Sequence, residues 1–86
     1  MAVLVRHRAA EMTPELYDQV SPPLVALLKQ TPGFILHVSY VDAKGFCVAE
    51  LWESLEQHDA WFNENVVPNV PMEISQEVVE LHSVHQ

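Results

Sequence analysis

The chain has 86 residues, of which 49% are hydrophobic and 19% charged, a composition typical of one folded domain over residues 1–86. A formal net charge of −8 argues against nucleic acid and against anionic membrane surfaces as partners. The single Cys47 cannot form an intrachain disulfide, and no apolar run approaches the roughly 20 residues that span a bilayer. Because the N-terminus is also too short and too alternating for a signal peptide, we expect a soluble cytoplasmic protein.

The first third of the chain predicts a strand followed by helical structure. Residues 2–9, AVLVRHRA, are typical of a strand, and Thr13-Pro14 is typical of a helix N-cap followed by the first helical position. The pair Pro22-Pro23 leaves two alternatives, which are one kinked helix or two short helices with Ser21 capping the second. Helical structure is expected to stop at Thr31-Pro32-Gly33.

A β-hairpin is predicted next. Residues 34–41, FILHVSYV, and 46–53, FCVAELWE, are typical of strands, and DAKG at 42–45 is a tight connection. Gly45 is suited to a positive φ in that turn.

The last third predicts a helix and a final strand. Ser54 to Gln57 matches a capping box, and the helix after it carries an apolar stripe of Leu55, Phe62 and Val66. Pro68 and Pro71 end that region, and residues 73–85 contain a last strand whose apolar part is VVELHSV.

The resulting β-α-β-β-α-β order predicts an α+β, ferredoxin-like fold, a four-stranded antiparallel sheet with both helices on one face. In the third strand the smaller side chains of Cys47, Ala49 and Leu51 are expected to face the helices. The opposite face, with Phe46, Val48, Glu50 and Trp52, is too apolar for open solvent. We therefore expect a homodimer in which two such sheets cover each other.

Three short motifs carry a family resemblance. They are Pro32-Gly33-Phe34 opening the second strand, Trp52-Glu53-Ser54 closing the third, and Trp61 in the following helix. With the element order and the chain length, they resemble the dimeric α/β-barrel superfamily, and within it the antibiotic-biosynthesis-monooxygenase-like proteins. The resemblance implies homodimers with a pocket in each subunit between sheet and helices.

The resemblance also implies a range of activities. Some members oxidise polycyclic aromatic substrates with molecular oxygen and no cofactor, some degrade haem, and others are cyclases, lyases or of unknown role. In the first two kinds a Trp nine residues after the Trp of the second motif lines the pocket, and Trp61 has that spacing. Haem-degrading members carry an axial His about nine residues further on, where this chain has Val70, and an Asn on the first strand, where it has none. Both differences argue against haem degradation, and since the chain has only two glycines and no Gly-rich phosphate loop, we expect no haem and no other cofactor.

His37 and Glu50 are the candidate catalytic residues. If the turn pairs Val41 with Phe46, antiparallel register places His37 opposite Glu50, on the face predicted to point away from the helices. A carboxylate beside an imidazole fixes the tautomer of the ring and suits it to general base catalysis. The alternative is a polar pair that holds strand register or contributes to the dimer. A register shift of two residues would instead place His37 opposite Trp52.

The candidate substrate-binding residues are Trp52, Trp61, Arg6 and Asn65. The two tryptophans form either an aromatic wall for a planar ligand or part of the core, and Asn65 lies on the same helix flank as Trp61. Arg6 either pairs with Glu50 inside the sheet face or forms an edge or dimer salt bridge. No metal site is predicted, because the chain has no HxH or HxxxH spacing among its five histidines: His7, His37, His58, His82 and His85.

Two functions remain open from the sequence. One is a cofactor-free monooxygenase-like or cyclase-like enzyme that acts on an aromatic or polyketide-like molecule. The other is a non-catalytic ligand-binding or structural homodimer in which the same residues fill space.

Overall fold

The predicted order of elements is confirmed in the computed structural model, which describes all 86 residues. A short π-helical segment, Phe62–Val66, continues the second helix, and none of the helices is long and apolar enough to cross a membrane. The strands and helices are β1 Val3–Arg8, α1 Pro14–Leu28, β2 Phe34–Asp42, β3 Gly45–Trp52, α2 Leu55–Trp61 and β4 Ser75–Glu80.

Both helices begin at the predicted caps. The Thr13 hydroxyl accepts a hydrogen bond from the Leu16 backbone N–H at 3.1 Å, and Ser54 accepts one from the Gln57 N–H at 3.2 Å. Each bond satisfies one of the backbone donors that a helix start leaves free. α1 runs without a break through Pro22-Pro23, so the alternative with two short helices is wrong.

The hairpin has the predicted register. Val41 pairs with Phe46 and Asp42 with Gly45, which leaves a two-residue turn. Gly45 has a φ of +113°, a conformation that favours glycine. The register continues to His37 opposite Glu50, so the two-residue shift is excluded.

The four strands form an antiparallel sheet in the order β2-β3-β1-β4. A bulge lies between Phe34 and Leu36. These two side chains therefore lie on opposite faces of the sheet, whereas strict alternation would place them on the same face. β4 ends at Glu80, although the apolar stretch was expected to extend it to residue 84. Glu80 pairs with Val3, where β1 begins, so the ladder has no partner strand beyond that point.

The predicted orientation of the sheet is wrong. The helix face carries Val3, Val5, His7, His37, Phe46, Val48, Glu50 and Trp52, and the open face carries Leu4, Arg6, Arg8, Leu36, Val38, Tyr40, Cys47, Ala49, Leu51 and Val79. Trp52 packs with Leu28 of α1 and Trp61 of α2 in the core. Bulky side chains therefore fill the space under the helices. Cys47, on the open face, is buried beside its longer cross-strand neighbours Arg8 and Tyr40.

Candidate functional site

A cavity of about 100 Å³ lies between the helix face of the sheet and the two helices. Fourteen of its 18 lining residues are hydrophobic, and the other four are His7, Ser21, His37 and Glu50. A mainly apolar cavity with a few converging polar groups is the usual form of a small-molecule site. An engineered cavity of about 150 Å³ binds benzene, so the space here suits a ligand of about one aromatic ring.

A hydrogen-bonded chain joins α1, β2 and β3 at this cavity. The Tyr17 hydroxyl lies 2.5 Å from Nε2 of His37, and Nδ1 of His37 lies 2.7 Å from Oε2 of Glu50. The other Glu50 oxygen, Oε1, accepts a hydrogen bond from the Trp52 indole N–H at 3.0 Å. The carboxylate is therefore buried with both oxygens bonded, which offsets the cost of burying its charge.

The partners of His37 determine its tautomer. Burial by itself raises the pKa of Glu50, but the hydrogen bonds from His37 and Trp52 outweigh it and the net pKa is lowered. Glu50 is therefore ionised near neutral pH and can only accept, so Nδ1 of His37 carries a proton. In the neutral ring Nε2 is then the acceptor for the Tyr17 O–H. Burial raises the pKa of Tyr17, which keeps this phenol protonated.

The prediction that His37 and Glu50 pair across the strands is confirmed, but the face predicted for them is wrong. Both side chains lie under the helices, where Tyr17 of α1 contacts His37. A pair on the open face would have been exposed to water or to a partner. On the helix face it borders an apolar cavity.

The two tryptophans do not form one wall. Trp61 lines the cavity, whereas Trp52 is fully buried in the core, with Phe34 and His58 against its ring edge-on. Trp52 lies on the same face of β3 as Glu50, but two residues farther along the strand. Its indole is therefore linked to the cavity only by the hydrogen bond to Glu50.

Arg6 and Asn65 do not line the cavity, and their role in substrate binding stays a prediction. Arg6 projects from the open face, because it alternates with Val5 and His7, and it pairs with Glu77 at 2.9 Å instead of Glu50. The Asn65 side chain turns back along its own helix and donates to the Trp61 carbonyl at 3.2 Å.

A second hydrogen-bonded chain lies beside the first. Nε2 of His7 on β1 and Nε2 of His58 on α2 are 3.0 Å apart, and Nδ1 of His58 lies 2.9 Å from the Asp59 carboxylate. The Phe62 ring stacks on His7 with the ring centres 4.8 Å apart. Burial lowers the pKa of His7 to about 4, against a smaller raising effect of Glu50, so His7 is neutral near neutral pH.

His7, Glu50 and His58 also bring three potential metal donors within 4.8 Å of one another. HxH and HxxxH spacings join only histidines that are close in sequence, whereas these three residues come from three different elements. Their hydrogen bonds employ the same atoms, since the two His nitrogens face each other and both Glu50 oxygens accept. The absence of a metal stays a prediction.

Tyr17, His7 and His58 were not predicted as site residues. A signal for Tyr17 was present, because it is three residues before Val20 and seven before Leu24, on one face of α1. Tyr17 and His7 line the cavity, and His58 is bonded to His7 through Nε2. The contact between His7 and His58 has no such local signal, since 51 residues separate them.

The fold is shared with solved structures, although no protein-family model and no curated protein sequence matches the chain. SnoaB, a cofactor-independent oxygenase from Streptomyces nogalater, is 11% identical over 96% of this chain and 94% of its own, with a TM-score of 0.70. The monooxygenase ActVA-Orf6 of Streptomyces coelicolor, solved with nanaomycin D, is 12% identical over 99% and 90%, with a TM-score of 0.65.

A third structure is more similar in sequence. The heme-degrading protein Rv3592 of Mycobacterium tuberculosis is 25% identical over 100% of both chains, with a TM-score of 0.64. The predicted resemblance is thereby confirmed: the chain has the ferredoxin-like α+β fold of the antibiotic-biosynthesis-monooxygenase-like proteins.

Proposed function

We propose that the cavity binds a small phenol or enol and that the chain Tyr17–His37–Glu50 removes its hydroxyl proton for a cofactor-free oxygenation. The observation that carries this is the pair of short contacts, 2.5 Å and 2.7 Å, that end in an ionised carboxylate beside an apolar cavity. The cofactor-independent oxygenase SnoaB, with the same fold, supports the reaction class.

The proton moves in two linked transfers. The substrate hydroxyl gives its proton to the Tyr17 oxygen while Tyr17 gives its own proton to Nε2 of His37. His37 becomes an imidazolium, and Glu50, already bonded to Nδ1, stabilises the new charge. Tyr17 and His37 are the proposed catalytic residues, and Glu50 is a positioning residue.

Oxygen supplies the oxidation. The electron-rich anion transfers electrons to O₂ and forms a carbon–oxygen bond to give a peroxide. His37 returns its proton through Tyr17 to the peroxide, and loss of water then leaves a quinone, so that one phenol and one O₂ become one quinone and one water. The apolar lining, which includes Trp61 and Phe62, excludes bulk water that would solvate the anion.

The cavity narrows the substrate class. Its volume of about 100 Å³ suits one ring, whereas a polycyclic or polyketide-like substrate requires α1 and the π-helical segment to move apart. Haem is not favoured, because both ring nitrogens of His37 take part in hydrogen bonds. Val70, at the position given by the family resemblance for the axial His, lines the cavity with an apolar side chain.

The test combines binding with oxygen uptake. A panel of one-ring phenols and enols is screened by quenching of tryptophan fluorescence, and ligands that bind are assayed with an oxygen electrode. Tyr17→Phe and His37→Ala are each expected to slow turnover by about 10²–10⁴-fold, the range for a positioned acid–base group. Tyr40→Phe, on the open face, is the matched control and should leave turnover unchanged.

Each outcome selects one function. Undiminished turnover in Tyr17→Phe contradicts the proposed proton path. Turnover without oxygen uptake, to a product of unchanged mass, identifies a cyclase. Binding with no turnover of any ligand identifies the non-catalytic alternative.

A homodimer is proposed on a different surface from the one the sequence analysis used. The open face exposes a row of apolar side chains along β2, namely Leu36, Val38 and Tyr40, and Val79 on the opposite edge strand. A continuous apolar row on a sheet needs cover, and the resemblance implies that a second copy provides it. The cytoplasmic location also stays a proposal.

The dimer is tested by sedimentation at micromolar concentration. The wild type is expected to sediment as two chains and Val38→Asp as one. Val41→Asp is the control, because Val41 is also exposed on β2 but projects from the other side of the strand. A wild type that sediments as one chain contradicts the proposal.

A further inference from the structure

The second hydrogen-bonded chain, His7–His58–Asp59, leads from the cavity to the surface. His7 lines the cavity, His58 is completely buried, and the Asp59 side chain is 48% exposed. The proposed proton path through Tyr17 and His37 ends at the buried Glu50.

The geometry of the two rings favours a hydrogen bond over a shared metal ion. The ring centres are 5.0 Å apart and the two Nε2 atoms 3.0 Å apart, so the nitrogens point almost directly at each other. Two ligands of one tetrahedral ion would instead have lone pairs that converge on a point to one side.

The hydrogen bonds also have a direction. The Asp59 carboxylate can only accept, so Nδ1 of His58 carries a proton and its Nε2 is the acceptor in the neutral ring. Nε2 of His7 must therefore carry the proton between the two rings, and Nδ1 of neutral His7 is free of a proton. This nitrogen can receive one.

We propose that His7, His58 and Asp59 form a relay that carries protons between the cavity and solvent. A proton bonds to Nδ1 of His7 as the Nε2 proton of His7 passes to Nε2 of His58, and the Nδ1 proton of His58 passes to Asp59. Asp59 releases it to water. The opposite shift takes a proton from water at Asp59 and delivers one from Nδ1 of His7 to the cavity, and it restores the starting tautomers. No net charge stays in the protein.

The groups around His7 suit this role. Glu50 on β3 attracts a proton toward the cavity end, while His58 on α2 and His37 on β2 disfavour a lasting positive charge on His7. Gln76 on β4 provides a polar contact on the remaining side. A proton that enters is therefore passed on and does not accumulate at His7.

The relay is tested by NMR on protein with ¹⁵N-labelled histidine, without any substrate. The wild type is expected to show a proton on Nδ1 of His58 and on Nε2 of His7. In Asp59→Asn, exchange of the bridging proton with water should slow by about 10²-fold, the lower end of the effect of a positioned acid–base group. Glu56→Gln is the control, because it removes the same charge from an exposed position of the same helix.

A structural role for Asp59 predicts the opposite sign, because loosening the helix would speed exchange. Unchanged or faster exchange in Asp59→Asn overturns the relay, as does a proton on Nε2 of His58 in the wild type. If the signal of the proton between His7 and His58 is too broad to detect in the wild type but appears in Asp59→Asn, exchange has slowed as expected. If the signal is missing from both proteins, the relay is overturned.

The use of the relay in turnover rests on the proposed function, whereas the relay itself does not. If no phenol binds but Asp59→Asn slows exchange, the proposed function fails and the relay stands. If phenols are oxidised but exchange is unaffected, the relay alone fails.

Discussion

The two faces of this sheet differ in how they handle polar groups. On the helix face, Glu50, His7 and His37 are bonded to other side chains beside an apolar cavity. On the open face, Arg6 and Arg8 pair with acidic residues that are partly exposed, among apolar side chains that lack cover. Charge on the helix face is therefore enclosed beside the cavity, whereas apolar surface on the open face is exposed.

The largest expected contrast between the faces is in stability. Trp52→Ala on the helix face should lower the free energy of unfolding by about 3–5 kcal/mol, because it leaves a cavity under the helices and removes a donor to Glu50. Leu36→Ala on the open face should cost the single chain about 0.5 kcal/mol, because its side chain is half exposed. Chemical denaturation below the concentration of dimer formation measures both. Equal losses would contradict the assignment of the faces.

The pH dependence of stability is the next largest effect. The pKa of His7 is about 4 in the folded protein, against an ordinary value of 6.5. As the pH falls from 6.5 toward 4, the unfolded chain takes up a proton at His7 that the folded protein does not, so the free energy of unfolding falls. The expected loss of unfolding free energy over this window is about 3 kcal/mol, since each pKa unit is worth about 1.4 kcal/mol. The pKa of Glu50 is lowered from its ordinary value of 4.5, so its contribution to the free energy of unfolding is lost only as the pH falls below 4.5, at the acid end of the window.

Denaturation curves through this window separate His7 from the other histidines. His7→Gln should flatten the pH dependence, whereas His82→Gln, at an exposed position, should leave it intact. If the stability of the wild type is constant from pH 6.5 to 4, His7 takes up its proton in the folded protein as readily as in the unfolded chain, and its pKa is not lowered.

Local patterns predicted the elements, the caps and the hairpin register, because each depends on residues close in the chain. Antiparallel pairing through the turn at Gly45 was sufficient to place His37 opposite Glu50. Alternation also separated the two faces of β3 correctly. It does not say which face the helices cover, since both faces contain apolar residues. That choice depends on which side chains fill the space under α1 and α2, and Trp52 with Leu28 and Trp61 decides it.

The candidate site was predicted only where it is local. Tyr17 reaches His37 because α1 crosses β2, and His58 reaches His7 because α2 packs over β1. Neither crossing is encoded in a spacing between neighbouring residues. The alternative in which Arg6 pairs with Glu50 is wrong for another reason, because no local turn sets the register of β1 on β3, which places Arg6 opposite Ala49.

The smallest expected effect concerns Arg6, whose pairing with Glu77 is on the open face. The atoms are 2.9 Å apart, but the side chains are 38% and 64% exposed, so water and salt screen the attraction. Arg6→Gln should lower the unfolding free energy of the single chain by about 0.2–1 kcal/mol, and the loss should shrink at high salt. A double-mutant cycle with Glu77→Gln isolates the pair. Because β1 directs Arg6 away from the cavity, binding of phenols should be unchanged in Arg6→Gln. Weaker phenol binding would place Arg6 at the site after all, on the same side of the sheet as Glu50.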